Sequence, residues 1–325
     1  MKLASMSYQG ANRIGALIDE STLIDVTKAV EAMEGRRRED WPQDMIALIE
    51  GGPAMLDTVR AAVKWAESNS SAARIPVGEV RWQPPVRRPS KLCCLALNNS
   101  ANADRIMSGP KHPAIFIKGA NALIGHNESI AVREKFGRVH PEPELAVVIG
   151  KTAKDIKAAD AYDYVFGYTV HNDITAPTMR GEDTFHYRAI HPSKDGSNEI
   201  QYVDSYVSYS GRYKGSDTFS PMGPVLVTRD EIADPHNLTV TCAHKGEIIA
   251  EDNTQNLFHK IPEVLGFITE YITLLPGDIV SMGTALKRAR ADGKAVQNID
   301  LFKLGGPVTV TIEKIGTLSN GVVRQ

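Results

Sequence analysis

The segment His140-Pro141-Glu142-Pro143-Glu144-Leu145-Ala146-Val147-Val148-Ile149-Gly150 decides the fold, because an acidic, proline-rich start runs into an unbroken apolar stretch. Residues i and i+2 of an extended chain project to the same face, so Glu142 and Glu144 point together. Pro143 favours extended backbone at the residue before it. Two carboxylates on one face repel each other unless a cation lies between them, and a hard divalent ion with oxygen ligands meets that need. The pattern predicts a buried strand whose N-terminal end carries a metal-binding pair of glutamates. The alternative is a solvated acidic strand end.

A second predicted strand supplies a third carboxylate. Tyr164 to Val170 is apolar and β-prone, and it runs into His171-Asn172-Asp173. Together with the glutamate pair, Asp173 would complete a set of oxygen ligands and leave coordination positions for substrate and water. Asn-Asp also favours turns, so a purely structural role is the alternative, and spacing alone leaves both open.

Short apolar runs recur along the chain after residue 90, with one clear helix among them. That helix has Pro262 in its first turn and an apolar stripe that ends at Ile272. Strands without a regular alternation of helices favour a β-rich α+β fold, a mixed β-roll or sandwich, over a doubly wound sheet. The predicted strands are Leu92–Leu97, Ala114–Lys118, Leu145–Gly150, Tyr164–Val170, Pro224–Thr228, Leu238–Ala243, Glu247–Ala250, Asp278–Met282 and Val308–Glu313.

The first part of the chain is predicted to form a small α+β domain of its own. It contains strand-like runs up to Asp25 and a helical pattern over Ala54–Glu67. The proline-rich stretch Trp82–Pro89 is typical of a linker. All nine histidines lie between His112 and His259, so the chemistry is expected downstream. We predict a small N-terminal domain over residues 1–85 and a catalytic β-roll domain over residues 86–325.

Composition excludes several classes of partner. The 325 residues carry a net charge of −2, which gives no electrostatic footprint for nucleic acid or for an anionic membrane. No apolar stretch is long enough to span a bilayer, and the N-terminus has no signal-peptide pattern. The three cysteines, of which Cys93 and Cys94 lie in an apolar run, show no metal or disulfide spacing. These features favour a cytoplasmic protein with a small-molecule substrate.

Several further motifs, taken in order, carry a resemblance to a known family. The glutamate pair with its apolar strand and Lys151 is followed by Gly167-Tyr168-Thr169-Val170 and Asn172-Asp173. The chain resembles the fumarylacetoacetate hydrolase family from about residue 90 to its C-terminus, and more weakly in residues 1–85. The remaining matching motifs are Lys214 to Pro224, Asp234-Pro235-His236-Asn237-Leu238, Leu275 to Thr284, and Gly316-Thr317-Leu318 with Asn320.

The resemblance implies a metal-dependent enzyme that acts on small oxo acids or diketo acids. It implies that Mg²⁺ or Mn²⁺, with Ca²⁺ as a further possibility, is held by Glu142, Glu144 and Asp173. Lys214 resembles the family's substrate-binding lysine, and Gly283 with Thr284 resembles the Gly-Thr turn that faces the substrate. Lys118 resembles a substrate-side lysine, although it is followed by Gly119 rather than by proline and could be structural. The resemblance also implies a homodimer.

Two departures from the family pattern concern the chemistry. Hydrolytic relatives carry a His–Glu dyad after the first core strand, and this chain has Asn102 and Arg105 at those places. Asn cannot act as a general base near neutral pH, so another group must replace the histidine if water is activated. Asp104 is our predicted catalytic replacement. The other candidates are His112, His126 and His171.

The second departure follows Asp173, where Arg180 stands in place of the family's glutamine. There it would bind a second acidic group of the substrate, whereas a salt bridge to Glu182 or Asp183 is the alternative. An additional stretch then runs from Gly181 to about Tyr206. Loops of this length are functional or disordered, and we predict that this one covers the active site or builds the dimer interface.

Three functions are therefore weighed. The leading hypothesis is a metal-dependent hydrolase that cleaves a carbon–carbon bond in an acylpyruvate-like diketo acid, in the catabolism of an aromatic compound or a sugar acid. The second is an oxo-acid decarboxylase or keto–enol tautomerase, which the missing dyad favours. The third, a relative that only binds a ligand, is disfavoured because a cluster of unused carboxylates is costly to keep together.

Overall fold

The apolar run that follows Glu142 forms a strand that is buried along its whole length. In the computed structural model, which describes residues 1–38, 40–100, 106–285 and 287–325, this strand spans Pro143–Ile149. Its side chains alternate between two cores: Leu145 and Val147 face one, and Ala146 and Val148 face the other. Because both faces are covered, the strand is apolar at every position after Glu144.

The described residues form nineteen strands and seven α-helices, numbered in chain order. The strands are β1 (Lys2–Tyr8), β2 (Ala11–Leu17), β3 (Thr22–Asp25), β4 (Arg74–Pro76), β5 (Arg81–Trp82), β6 (Leu92–Ala96), β7 (Ala114–Lys118), β8 (Leu123–Ile124), β9 (Ser129–Val132), β10 (Pro143–Ile149), β11 (Val165–Asn172), β12 (Thr184–Pro192), β13 (Ile200–Ser208), β14 (Ser220–Thr228), β15 (Thr239–His244), β16 (Glu247–Asn253), β17 (Ile279–Thr284), β18 (Val308–Ile312) and β19 (Gly316–Arg324). The helices are α1 (Val26–Glu34), α2 (Met45–Glu50), α3 (Gly52–Asn69), α4 (Pro177–Glu182), α5 (Gly211–Gly215), α6 (Ile261–Tyr271) and α7 (Leu301–Leu304).

The strands form one large sheet, one smaller sheet and a separate hairpin. The large sheet has the order β4-β3-β2-β1-β14-β11-β10-β17-β6-β7, with β5 added to β1 and β8 added to β14. The smaller sheet has the order β16-β15-β18-β19-β9. The hairpin consists of β12 and β13 alone. A β-rich α+β architecture was predicted, and this arrangement confirms it.

The large sheet rolls around the region where the carboxylates lie. Strand β7 ends at Lys118, and the next strand, β8, pairs in parallel with β14. The Lys118 side chain donates a hydrogen bond to the carbonyl of Phe219, the residue before β14. The arc from β14 through β11, β10, β17 and β6 to β7 therefore curls back on itself, and strand ends that are distant in the sheet order meet in space.

Two hydrophobic cores hold this roll. One lies between the large sheet and the smaller sheet with helix α6, and includes Leu145, Val240, Leu265 and Val310. The other lies under the N-terminal helices and includes Ala146. Cys93 and Cys94, which lie in an apolar run, are buried free thiols, and so is Cys242.

The N-terminal strands continue the large sheet, because β1 pairs with β14 at Lys2↔Val227 and Leu3↔Leu226. Helices α1 and α2 in this region were not predicted. Helix α1 is capped by the Asp25 carboxylate, which accepts a hydrogen bond from the Lys28 amide, and it ends at Gly35. The boundary between residues 85 and 86 stays a prediction. Within the described ranges, no helix has both the length and the apolar character needed to cross a membrane.

Candidate active site

The predicted metal ligands meet at one point, and the pairing of β10 with β11 brings them there. The strands are antiparallel, so the beginning of β10 lies beside the end of β11, with Pro143 opposite Asn172. The amide of Asp173 donates to the carbonyl of Glu142 at 2.8 Å, and the Asn172 side chain accepts from the Glu142 amide at 3.0 Å. One oxygen each from Glu142, Glu144 and Asp173 lies within 4.8 Å of the others.

Two lysines neutralise part of this carboxylate cluster. The Lys118 ammonium donates to Asp173 Oδ1 at 2.6 Å. The Lys214 ammonium donates to Glu142 Oε2 at 2.6 Å and also to Asp173 Oδ2. Three carboxylates and two ammonium groups leave a net charge of −1, so the cluster retains an attraction for a cation.

Burial and charge act in opposite directions on these groups. Burial alone would raise the pKa of the Asp173 carboxyl, but Lys118 and Lys214 outweigh it and hold that pKa below its ordinary value. Burial alone would lower the pKa of Lys214, but the carboxylates of Asp173, Glu142 and Glu144 outweigh it and raise that pKa. At neutral pH Lys214 is therefore a cation that donates hydrogen bonds and does not act as a base.

Strand β17 supplies the donors that orient the glutamates. Ser281 Oγ donates to Glu144 Oε2 at 2.5 Å, and the Gly283 amide donates to the same oxygen at 3.2 Å. The Thr284 hydroxyl lies 3.0 Å from Glu144 Oε1 and 3.2 Å from Glu142 Oε2. Gly283 has φ +98°, and a Cβ there would lie 2.9 Å from the Asn98 Cβ, so the position requires glycine.

The donor set is suited to a hard divalent cation. Every converging side chain offers carboxylate oxygen, which Mg²⁺, Mn²⁺ and Ca²⁺ prefer, and neither histidine nor cysteine belongs to the cluster among the described residues. The arrangement fits the predicted ions, and their identity stays a prediction.

A cavity of about 220 Å³ opens beside the cluster. This volume is below the roughly 300–1,000 Å³ of typical drug-sized sites, so the cavity suits a small acid. The lining includes two cationic side chains, Arg180 and Lys214, together with Glu142 and several neutral residues. The lining residues are Leu95, Ala96, Leu97, Asn98, Phe116, Glu142, Thr175, Arg180, Tyr213, Lys214, Thr284 and Gln297.

Arg180 lines this cavity, as its predicted role in substrate binding requires. The alternative, a salt bridge to Glu182 or Asp183, is not what the structure shows. Arg212 donates to both carboxylates instead, at 3.0 Å and 2.6 Å. Within the described part of the chain, the Arg180 guanidinium has no ion-pair partner, which leaves its charge available to a ligand.

The predicted general bases fall into three groups. Asp104 lies outside the described residues, as do Asn102 and Arg105. The His112 ring stacks on Phe267 with ring centroids 5.0 Å apart. His126 accepts a hydrogen bond from the Ser319 amide, so both histidines have structural contacts.

The third group is His171, which is fully buried beneath the cluster. Its Nδ1 lies 2.6 Å from Ser281 Oγ and 3.9 Å from Glu144 Oε2. Its Nε2 is buried and has no hydrogen-bond partner among the described residues. His171, Ser281 and Glu144 therefore form a chain of polar contacts inside the roll, in which Ser281 joins His171 to Glu144, and His171 does not line the cavity.

Sequence reasoning missed Ser281, Asn98 and the pair His259–Glu263. The Asn98 side chain donates to the carbonyls of His259 and Met282 and accepts from the His259 amide. His259 Nδ1 lies 2.6 Å from Glu263 Oε1. A signal for Ser281 existed, since it is a polar residue between the apolar neighbours Val280 and Met282 and shares a face with Gly283.

Converging carboxylate oxygens beside a small cavity that also contains an arginine and a lysine are typical of metal-dependent enzymes that act on small acids. Residues 91–323 match the profile of the family described as fumarylacetoacetate (FAA) hydrolase, C-terminal. This chain belongs to the fumarylacetoacetate hydrolase family.

Two curated relatives and one solved structure are similar to this chain. The mitochondrial oxaloacetate tautomerase FAHD2A of Bos taurus is 34% identical over 286 residues, 87% of this chain and 80% of that protein. The oxaloacetate tautomerase YisK of Bacillus subtilis (strain 168) is 29% identical over 330 residues, 99% of this chain and 100% of that protein. Maleylpyruvate hydrolase of Sphingobium sp. SYK-6, solved with manganese(II) and pyruvate, is 26% identical with a TM-score of 0.70, covering 100% of this chain and 99% of that one.

The two sequence relatives are tautomerases, and the protein of the solved structure is a hydrolase. The relatives therefore agree on the family but differ in the reaction that they catalyse. The manganese in the Sphingobium structure agrees with a metal-binding site in the family. Because the bovine relative is a mitochondrial protein, a cytoplasmic location for this chain stays a prediction.

Proposed function

We propose that this chain is a divalent-metal-dependent tautomerase that interconverts the keto and enol forms of a small 2-oxo dicarboxylic acid, with oxaloacetate as its substrate. The observation that carries the proposal is the cavity wall. Arg180, without an ion-pair partner among the described residues, and Lys214 line the same small cavity above the carboxylate cluster. In a 2-oxo dicarboxylate, the distal carboxylate would pair with Arg180, while Lys214 would face the oxo oxygen, which gains negative charge during the reaction.

Glu142, Glu144 and Asp173 would hold the metal ion, which polarises the 2-oxo group when it is bound. Lys214 stays protonated at neutral pH, because the carboxylates raise its pKa. Its ammonium would stabilise the negative charge that develops on the carbonyl oxygen as the C3 proton leaves. Arg180 would bind the distal carboxylate with its planar fork of donors and fix the C2–C3 bond in the cavity. Tautomerisation would break one C3–H bond and form one O–H bond, with the proton passing through solvent in the cavity, and it consumes no water as a nucleophile.

The relatives support this reaction over the hydrolysis that was our leading hypothesis. Two relatives at 34% and 29% identity carry the name oxaloacetate tautomerase. The described residues that line the cavity include no histidine that could activate water as the nucleophile of hydrolysis, whereas the proton of a tautomerisation can pass through solvent. A decarboxylase would use the same binding groups and would be recognised by its release of CO₂.

Hydrolysis of a carbon–carbon bond in an acylpyruvate-like diketo acid is the second candidate. The observation that favours it is the His259–Glu263 pair, which Asn98 ties to the cavity wall. The similar Sphingobium structure is of a hydrolase. A role in the catabolism of an aromatic compound or a sugar acid belongs to this candidate.

One panel of assays separates the candidates. Purified chain with Mg²⁺ or Mn²⁺ is given enol-oxaloacetate, and the keto form is trapped with malate dehydrogenase and NADH; acylpyruvates are tested in parallel for two acid products. We expect conversion of enol-oxaloacetate above the spontaneous rate, its loss in EDTA, and its return with added metal.

Cleavage of an acylpyruvate that is lost in His259→Ala would replace the proposal with the hydrolase. Release of CO₂ from oxaloacetate would replace it with a decarboxylase. Silence on all substrates, together with thermal stabilisation by oxaloacetate, would support a protein that only binds its ligand.

A further inference from the structure

The additional stretch after Arg180 is a long β-hairpin that pairs with no other strand in the described part of the chain. Strands β12 and β13 are antiparallel over nine residue pairs, from Thr184↔Ser208 to Pro192↔Ile200. At roughly 3.4 Å per residue the hairpin projects by about 30 Å. A two-stranded hairpin is marginally stable by itself in water. A surface that covers it is therefore expected in the native assembly.

The hairpin is unusually apolar for an exposed element. Eighteen large apolar side chains are exposed in the described residues, and eight of them lie in the short segment 184–209. Soluble monomers rarely expose apolar side chains in such concentration, and a patch of this kind marks an interaction site. The eight are Phe185, Tyr187, Ile190, Ile200, Tyr202, Val203, Tyr206 and Tyr209, with exposed fractions between 42% and 77%.

Both faces of the hairpin carry these side chains. Residues directly opposite in the register share a face, so Phe185 and Val207 lie on one face while Ile190 and Tyr202 lie on the other. Folding the hairpin down onto its own chain would cover one face and leave the other in water. If the hairpin instead packs as an arm within an interface with another molecule, both of its faces are covered.

The charges of the hairpin are self-complementary. Arg188 and Asp204 are opposite each other in the register, with Arg188 Nε 3.4 Å from Asp204 Oδ1. Their side chains are 77% and 92% exposed, so both remain able to pair with another molecule. In a two-fold dimer the same patch occurs on both copies, and Arg188 of each arm can meet Asp204 of the other. A strongly basic or acidic partner is not required.

The exposed apolar area of the hairpin is also sufficient for a dimer interface. Aromatic side chains offer roughly 150–250 Å² each, so eight large side chains that are about half exposed or more present on the order of 800 Å². A stable protein–protein interface buries roughly 800 Å² on each partner. The arm alone therefore supplies about the apolar surface that one side of such an interface needs.

We propose that the hairpin β12–β13 is a dimerisation arm that packs against a second copy of this chain. In the chain, helix α4 precedes the arm and helix α5 follows it. These helices contain Arg180 and Lys214, which line the cavity. Dimerisation thus fixes the two elements that bear the cationic groups of the cavity. The proposal is independent of which reaction the cavity catalyses.

The first test measures mass. Sedimentation equilibrium of the full-length chain is expected to give a dimer. The triple variant Phe185→Ser, Tyr202→Ser, Tyr206→Ser changes only exposed residues and is expected to raise the dimer dissociation constant at least about 100-fold, the effect of losing several hot-spot side chains. The matched control, Phe258→Ser with Tyr271→Ser, removes aromatic side chains of similar exposure elsewhere and should leave the mass unchanged.

The second test uses charge. Arg188→Asp alone and Asp204→Arg alone place like charges at the meeting point of two arms, and each variant should dimerise weakly. An equimolar mixture restores both Arg–Asp contacts in the heterodimer and should recover dimers. Circular dichroism confirms that each variant is folded.

A wild-type chain that stays monomeric at micromolar concentration would overturn the proposal, as would a dimer that the triple variant leaves intact. A monomer whose hairpin amides become protected from hydrogen exchange only when oxaloacetate is added would identify the hairpin as a cover for the cavity instead.

Discussion

Replacing Ser281 with alanine removes the hydroxyl that links Glu144 to His171. Ser281 is fully buried, and its Oγ lies 2.5 Å from Glu144 Oε2 and 2.6 Å from His171 Nδ1. The substitution creates little space, so its effect arises from the two lost polar contacts. Glu144 keeps the Gly283 amide and the Thr284 hydroxyl as partners, but loses its shortest hydrogen bond.

The expected magnitude follows from what each partner loses. A hydrogen bond to a charged group contributes about 1.5–3 kcal/mol, and a buried ring nitrogen left without a partner costs about 1–3 kcal/mol. Because His171 Nε2 already has no partner among the described residues, the ring would lose its only side-chain contact of this kind. We expect Ser281→Ala to lower the free energy of unfolding by about 2–4 kcal/mol. Loss of a group that orients a ligand weakens metal binding about 10–100-fold.

Two assays separate stability from metal binding. Urea unfolding in EDTA gives the free energy of unfolding of the metal-free chain, and titration calorimetry with Mn²⁺ gives the dissociation constant. Thr169→Val is the matched control, because its buried hydroxyl donates to the Val225 carbonyl at 2.8 Å on the neighbouring strand. The control should lose stability but keep its Mn²⁺ affinity within about twofold. If Ser281→Ala loses stability and binds Mn²⁺ like the wild type, the reasoning is refuted.

The remaining predictions concern the cavity, the turn at Gly283 and the buried thiols. Arg180→Gln should raise the KM for oxaloacetate about 10–100-fold, the equivalent of a charged hydrogen bond, and should leave the affinity for Mn²⁺ unchanged; an unaltered KM in steady-state kinetics would remove Arg180 from the substrate site. Gly283→Ala should lower the free energy of unfolding by about 2 kcal/mol or more, because φ is +98° and the new methyl would meet Asn98; a wild-type urea midpoint would contradict this. Burial raises the pKa of Cys93 to about 11 and of Cys242 to about 12, and raises the pKa of Cys94 well above its ordinary value. The folded chain therefore binds these protons more tightly than the unfolded chain, so stability is retained below about pH 8.5 and falls as the pH rises above it. Iodoacetamide at pH 8 should label none of the three thiols in the native protein and all three in urea, and rapid native labelling would show that they are accessible.

Local patterns in the sequence were sufficient to predict the strand β10 and the glutamate pair. The apolar run and the i, i+2 spacing act within a few residues, so no long-range information is needed. Asp173 could be placed beside the pair because β10 and β11 are consecutive strands, which usually pair. The positions of nine strands followed in the same way, with ends that differ by a few residues: β6, β7, β10, β11, β14, β15, β16, β17 and β18. The strands β8, β9, β12 and β13 were not predicted.

Contacts between distant segments could not be predicted from spacing. Lys118 reaches Asp173 only because the sheet rolls and returns β7 to the side of β14. Lys214 is separated from Glu142 by the whole hairpin, and the family resemblance was needed to single it out. The hairpin itself was predicted only as an additional loop, because its apolar side chains lie on both faces and give no simple alternation.

Helix α1 was missed although its signals are local. Asp25 was assigned to the end of a strand, and it is both the last residue of β3 and the N-cap of the helix. Gly35, with φ +68°, ends the helix in the left-handed conformation. The sequence carried both capping residues, and recognising them together would have identified the helix.

The central claim is that Glu142, Glu144 and Asp173 bind one divalent cation. Crystals grown with Mn²⁺ and measured at the manganese absorption edge test it directly, because the anomalous signal locates the ion without assumptions about the ligands. The account predicts a single strong peak within roughly 2.0–2.6 Å of an oxygen from each of the three side chains. A peak elsewhere, or none at saturating Mn²⁺, would contradict it.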